Sequence, residues 1–220
     1  MKTRYGMALL LGMLLLSLCL TGCSGEMTST GNTSATATAT ATPTPEPEIS
    51  LSVDPAVAQK VKITMEDGKS FVIETAPQFA PQTVNNFLQL VESGFYDGLT
   101  FHRVIDDFMA PGGDPKGNGT GGSSKTIKGE FASNGYTKNT LSHTRGVVSM
   151  ARSGNPNSAS SQFFICYTDV SFLDGDYAAF GKVVEGMEVV DDFLKVERGG
   201  NEGGTPKTPI VMQKAEILAE

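Results

Sequence analysis

Residues 101–114 read FHRVIDDFMAPGGD, from Phe101 to Asp114. Val104, Ile105, Phe108 and Met109 are strand formers on either side of an acidic turn, Asp106-Asp107. The stretch predicts two short strands, 100–105 and 108–109, followed by a Gly-Gly-Asp turn. Arg103 is its only lysine or arginine. A cation held against an apolar wall needs an acceptor, because burying it unpaired is costly. A structural salt bridge is the ordinary reading of such an arginine. Two later stretches argue for more: GVVSMAR at 146–152 and SASSQFFICY at 158–167.

Outward from this stretch the periodicity is clear. Val61, Ile63 and Met65 alternate with Lys62 and Thr64, the mark of a half-buried strand. Asp67-Gly68 predicts a tight hairpin, and Phe71-Val72-Ile73 returns. Pro81 sets the first turn of a helix. Val84, Phe87, Leu88 and Val91 then form one apolar stripe, and Gly94 ends it. Short apolar runs at 146–151, 162–167 and 178–184 alternate with glycine-rich turns. A second helix is expected near 187–194 and a last strand at about 210–218. Many short strands with two helices predict a mainly β fold, a closed antiparallel barrel.

In order, the pieces FHRVI, FM, GGD, NGTGG, GVVSMA, SSQFFI, FLDG and FGKVVEGM resemble the cyclophilin family of peptidyl-prolyl cis-trans isomerases. The resemblance runs from about Val61 to the C-terminus. It implies an eight-stranded antiparallel barrel capped by two helices, with Arg103 as the catalytic group. Phe108, Met109, Phe164 and Leu173 match the family's apolar proline pocket, and Gln162 a polar residue beside it. Gly119 matches a contact position in a loop edging the peptide groove. Ala151 and Arg152 match the strand that pairs with the substrate backbone. Phe172 and Tyr177 stand where many members have Trp and His. Arg152 replaces a frequent Asn. Pro111 replaces the usual Gln before Gly-Gly-Asp and has no donor. The implied function is rotation of X–Pro bonds in exported proteins, without cofactor or metal, by a monomer. The alternative is a proline-peptide binding module or scaffold whose isomerase activity is weakened by Pro111.

Before the barrel, Lys2 and Arg4 precede an apolar run from Met7 to Leu20, a secretory leader too short to span a bilayer comfortably. Leu20-Thr21-Gly22-Cys23 reads as a lipobox, with cleavage before Cys23 and lipid on its sulfur. Residues 1–22 are thus expected as signal peptide and 23–57 as lipidated cysteine plus a disordered Thr/Ala/Pro-rich linker. Residues 58–220 are expected as the isomerase domain that the resemblance implies, outside the cytoplasm and lipid-anchored to a bacterial membrane. Stable anchoring needs more than one acyl chain. Losing the leader removes Lys2, Arg4 and no acid, so the formal charge moves from −7 to −9. Such a chain, with no basic cluster, is a poor nucleic-acid binder. The mature chain keeps Cys166 besides Cys23, so no internal disulfide is expected, and a buried Cys166 thiol is inert.

Three apparent motifs carry no chemistry. Gly117, Gly119 and Gly122 fit G-x-G-x-x-G, but the strand–loop–helix context of a dinucleotide site is not predicted. His102 and His143 with one buried cysteine do not make a metal site; His102 reads as a satisfied structural histidine. Ser160 and Ser161 lack a base and a nucleophile elbow.

Overall fold

The alternating Val61, Ile63 and Met65 lie in β1 (Lys60–Met65), and all three are buried. The structure, a computed structural model, describes residues 51–199 and 204–219. The expected leader, Cys23 and residues 24–50 of the expected linker lie outside the described residues. Leu51 and Val53, within the expected linker, pack against the core, and Ser52 N–H donates to Glu92 at 3.0 Å.

Gly68, at φ +81°, turns β1 into β2 (Ser70–Thr75). Helix α1 (Pro81–Glu92) begins on its proline and buries Val84, Phe87, Leu88 and Val91. The chain continues through β3 (Thr100–Phe101), β4 (Met109–Asp114), β5 (Val147–Met150), β6 (Phe163–Cys166) and β7 (Ala179–Glu185). Then come α2 (Met187–Asp192), the small hairpin β8 (Arg198–Gly199) and β9 (Thr205–Pro206), and β10 (Ile210–Ile217). Eight of these strands close a barrel in the order β1-β10-β3-β4-β6-β5-β7-β2, all pairs antiparallel. The expected barrel and its two helices are therefore present.

Aromatic rings join the helices to the barrel. Phe87 of α1 lies 5.7 Å from Phe163 and 5.0 Å from Phe180. Phe193, just after α2, lies 4.8 Å from Phe101. Strand alternation leaves a second, outer apolar cluster. Along β6, Phe163 and Ile165 belong to the main core, whereas Phe164 and Cys166 belong to this outer cluster with Val147, Val170, Leu173 and Ala179.

Three expectations around the opening stretch are corrected. First, Arg103 is not in a strand. Phe101 pairs with Ile210, where β10 starts, so that side of the ladder runs out one residue later. Second, Gly112, Gly113 and Asp114 are not a turn but the end of β4. A Cβ at Gly112 would meet the Phe101 ring at 2.9 Å, and one at Gly113 the Ser161 carbonyl at 2.6 Å. These glycines permit close packing. Third, the strand expected to stop at Met109 runs on through Pro111: Ala110, Pro111 and Gly112 pair in register with Ile165, Phe164 and Phe163. Phe108 C=O accepts from Tyr167 N–H, so by alternation the Pro111 nitrogen faces away from β6. No β6 hydrogen bond is lost to it. The Asp106-Asp107 turn is as expected, with Asp107 at φ +53°.

Candidate functional site

The segment carrying Arg103 starts where β3 stops. Phe101 pairs with Gly112, and Ile105 N–H donates to Met109 C=O at 3.1 Å. Arg103 thus runs alongside Pro111 and Ala110 of β4 and is half-buried. Pro111 is buried and, by pairing with Phe164, shares the face of the outer cluster.

That cluster gathers most of the apolar residues singled out in the sequence. Phe164 and Leu173 are buried within it, and Phe108, Met109, Ala151 and Tyr177 pack against it. Tyr177 meets Phe164 edge-on at 5.8 Å. Phe172 stacks on Phe108 at 5.7 Å and stays 71% exposed, which makes it a rim. Arg152 is held by neutral groups. Its guanidinium lies 4.7 Å from the Tyr177 ring centroid and 5.0 Å from that of Phe131. It donates to the carbonyls of Asp176 and Ser153, each at 3.0 Å. Such a clamp fixes the Tyr177 wall through cation–π attraction.

Beside the cluster is a pocket of about 360 Å³ lined by Gly119, Thr120, Gly121, Ala151, Arg152 and Gln162, among others. Ala151 N–H donates to Gln162 C=O at 2.9 Å. The Gln162 amide donates to Gly121 C=O at 2.6 Å. The glycine loop is organised by a residue that sequence reasoning quoted but gave no role. Asp114 accepts from the N–H groups of Lys116 at 2.8 Å, Asn118 at 3.0 Å and Gly119. Burial pushes the Asp114 carboxyl up, and these donors with Gly121 N–H outweigh it, so its pKa lies below the usual carboxylate value. The loop's N–H groups therefore already surround an anion. Contrary to expectation a strand, β4, leads directly into the loop, but no helix follows it before the short 3-10 turn at 132–134.

His102 is corrected in part: its Nδ1 is buried without a hydrogen-bond partner among the described residues. Burial lowers its pKa; Asp114 opposes that and Arg103 adds to it. Cys166 is buried and unpaired, and burial foremost, with Asp174 and Asp169, pushes its thiol to about 12, so it stays a thiol. His143, which the sequence gave no role, joins Asp174 and Ser149 behind Phe164. Only their sequence spacing was visible beforehand, and it carries no signal.

The chain matches the family described as cyclophilin type peptidyl-prolyl cis-trans isomerase/CLD over residues 60–217. A probable peptidyl-prolyl cis-trans isomerase of Brucella abortus is 42% identical over 173 residues, covering 73% of this chain and 83% of that one. Peptidyl-prolyl cis-trans isomerase B of Bacillus subtilis is 47% identical over 124 residues, 56% of this chain and 82% of that one. A crystal structure of a cyclophilin-type isomerase from Cryptosporidium parvum is similar at TM-score 0.66 and 32% identity, covering 74% of this chain and 99% of that one. A second structure of that protein, in the presence of the dipeptide Ala-Pro, is similar at TM-score 0.65.

Proposed function

The chain belongs to the cyclophilin-type peptidyl-prolyl cis-trans isomerases, and from that premise we propose that Arg103 is its catalytic group and that Phe108, Met109, Phe164 and Leu173 seat the proline ring. An X–Pro amide resists rotation because the nitrogen lone pair is delocalised into the carbonyl, a barrier of roughly 18–20 kcal/mol. At the twisted transition state that lone pair is localised and accepts a hydrogen bond. A guanidinium aimed there binds the transition state better than the ground state, which is the condition for catalysis. An acceleration of about five decades corresponds to roughly 7 kcal/mol. One charge-assisted hydrogen bond contributes about 1.5–3 kcal/mol. The remainder comes from a dry seat that fixes the ring while the preceding residue rotates.

The observation that carries this reading is the outer apolar cluster beside the Arg103 segment, with the rim residues Phe172 and Tyr177 around it. Gly119, Ala151, Arg152 and Gln162 line the neighbouring pocket and take the peptide on the far side of Gln162. The Ala-Pro dipeptide used with the Cryptosporidium protein supplies a minimal ligand to try.

The substrates are X–Pro segments of exported proteins, met by a monomer held outside the cytoplasm at the cell membrane by lipid on Cys23. The sequence of residues 1–24 supports this placement. No helix among the described residues is long and apolar enough to cross a membrane. The test is NMR exchange on an Ala-Pro-containing peptide with the chain from Ser24 onward. Exchange is expected to accelerate in proportion to protein, and an unchanged rate refutes the activity.

A further inference from the structure

Residues 102–104 lie beyond the end of the barrel ladder, yet they carry Arg103. The β8–β9 hairpin braces them instead. Val104 N–H donates to Gly204 C=O at 2.8 Å. Val104 C=O accepts from Arg198 Nη1 at 3.4 Å. The same Nη1 donates to Asp106 Oδ1 at 2.6 Å, and Nη2 donates to Leu194 C=O at 3.3 Å. One guanidinium thus ties two points of the Arg103 loop to the turn that follows α2. Gly204 makes the close approach feasible: it sits at φ +60°, and a Cβ there would come within 2.1 Å of the Val104 carbonyl oxygen. The Val104 side chain is fully buried, so the brace and the core grip the same residue.

We propose that Arg198 is a positioning residue for Arg103, acting with Asp106 and Gly204 to set the backbone from which the catalytic guanidinium projects. This rests on the reading of Arg103 as the catalytic group. A donor that must meet a lone pair only at the twisted transition state is sensitive to small displacements, and they lower the rate constant rather than substrate affinity. The Arg198–Asp106 pair is itself partly exposed, at 24% and 64%, so it adds little to global stability. The brace therefore shows in rate and not in melting.

The experiment compares Arg198→Ala, Arg198→Lys and Arg103→Ala, alone and combined, in isomerisation and in binding of a proline peptide. Arg198→Ala is expected to lower kcat by about tenfold with peptide affinity and melting temperature unchanged. Arg198→Lys keeps the charge but not the two-armed fork, and recovers part of the rate. In the Arg103→Ala background Arg198→Ala causes no further loss. A wild-type kcat in Arg198→Ala, or an equal loss in both backgrounds, overturns the proposal. The Arg103 Nε–H resonance provides a readout independent of turnover. It should shift or broaden in Arg198→Ala while that of Arg152 does not. If Arg103→Ala retains wild-type activity, the catalytic reading fails, and an unmoved Arg103 resonance then removes the brace as well.

Discussion

The imidazole of His143 lies almost parallel to the ring of Phe164, with centroids 6.1 Å apart and planes 16° from parallel. Its Nδ1–H donates to Asp174 Oδ1 at 2.7 Å, and Nε2 accepts from the Ser149 hydroxyl at 2.9 Å. The order Asp-His-Ser matches a nucleophile triad, but Ser149 is 0% exposed, so no substrate meets it. The row instead backs the wall proposed to hold the proline ring.

This support makes the fold sensitive to acid. Burial lowers the His143 pKa, although Asp174 opposes it. Folded His143 thus binds a proton less readily than the unfolded chain, whose histidines titrate near pH 6.5. The linked stability is present above about pH 6.5 and is lost as pH falls from there. His102, also lowered by burial, acts in the same direction. Urea unfolding between pH 8 and pH 5 is expected to show a steeper decline for wild type than for His143→Asn. Parallel declines would show that His143 is not linked to folding.

The start of α1 gives a larger stability effect. Its N-cap, Ala80, has no side-chain cap. Glu130, 5% exposed, reaches it from a distant loop. The carboxylate accepts from Gln82 N–H at 3.0 Å and from Thr83 N–H and Oγ–H, each at 2.7 Å. Glu130→Ala leaves these donors without their acceptor and is expected to cost about 3 kcal/mol, with Glu130→Gln losing about half. Calorimetry decides: a melting temperature within about 2 °C of wild type for Glu130→Ala would rule out the cap.

Much of this fold was legible because local and tertiary requirements coincide. The β1–β2 hairpin and α1 follow from alternation, an Asp-Gly turn, one apolar stripe and a proline at the helix start. β4 was misread because Gly112-Gly113 has the composition of a turn, whereas here the absent Cβ atoms admit Phe101 and Ser161. The outer cluster could be named only from several ordered pieces taken together, since each aromatic alone reads as core. The supports were not legible. Arg198 and Asp106 are 92 residues apart in sequence, His143 and Asp174 are 31 apart, and Glu130 lies 48 from Gln82. Local pattern says nothing about such distant pairings.

The proposed membrane anchor is tested by Cys23→Ala. Membrane attachment through acyl chains needs that sulfur. The variant is expected to leave the membrane fraction or to remain unprocessed, read by fractionation and mass spectrometry of the N-terminus. A processed, membrane-bound Cys23→Ala excludes lipid on this residue.

Phe172 stands where many cyclophilins have Trp. A missing indole donor facing a ligand acceptor costs about 1–3 kcal/mol. Phe172 is 71% exposed, so the lower end applies. Phe172→Trp is therefore expected to tighten binding of cyclosporin, a ligand that the family resemblance implies, by about fivefold. Titration calorimetry with no gain in affinity shows that this rim does not face the ligand.

The last prediction joins Arg103 and Pro111, which run alongside each other. Arg103→Ala is expected to lower the isomerisation rate constant by at least about tenfold, because the localised nitrogen loses its donor. The barrel keeps its core, since Arg103 lies outside the buried cluster. Pro111→Gln is expected to move the other way. Position 111 lies on the face of Phe164 in an unbroken strand, with its nitrogen turned from β6 towards the Arg103 segment. The substitution adds a backbone N–H on that side and an amide on the cluster's face, without disturbing the β6 register. It also frees the unfolded chain, which costs about 0.4–1 kcal/mol of stability. A slightly lower melting point with a higher rate constant is therefore the expected signature. Both variants are measured by NMR exchange on one X–Pro peptide, with circular dichroism to establish folding. Folded Arg103→Ala at wild-type rate removes the arginine mechanism. An inactive wild type beside an active Pro111→Gln would instead make the natural protein a proline-peptide binding module, with the missing donor at position 111 as the reason.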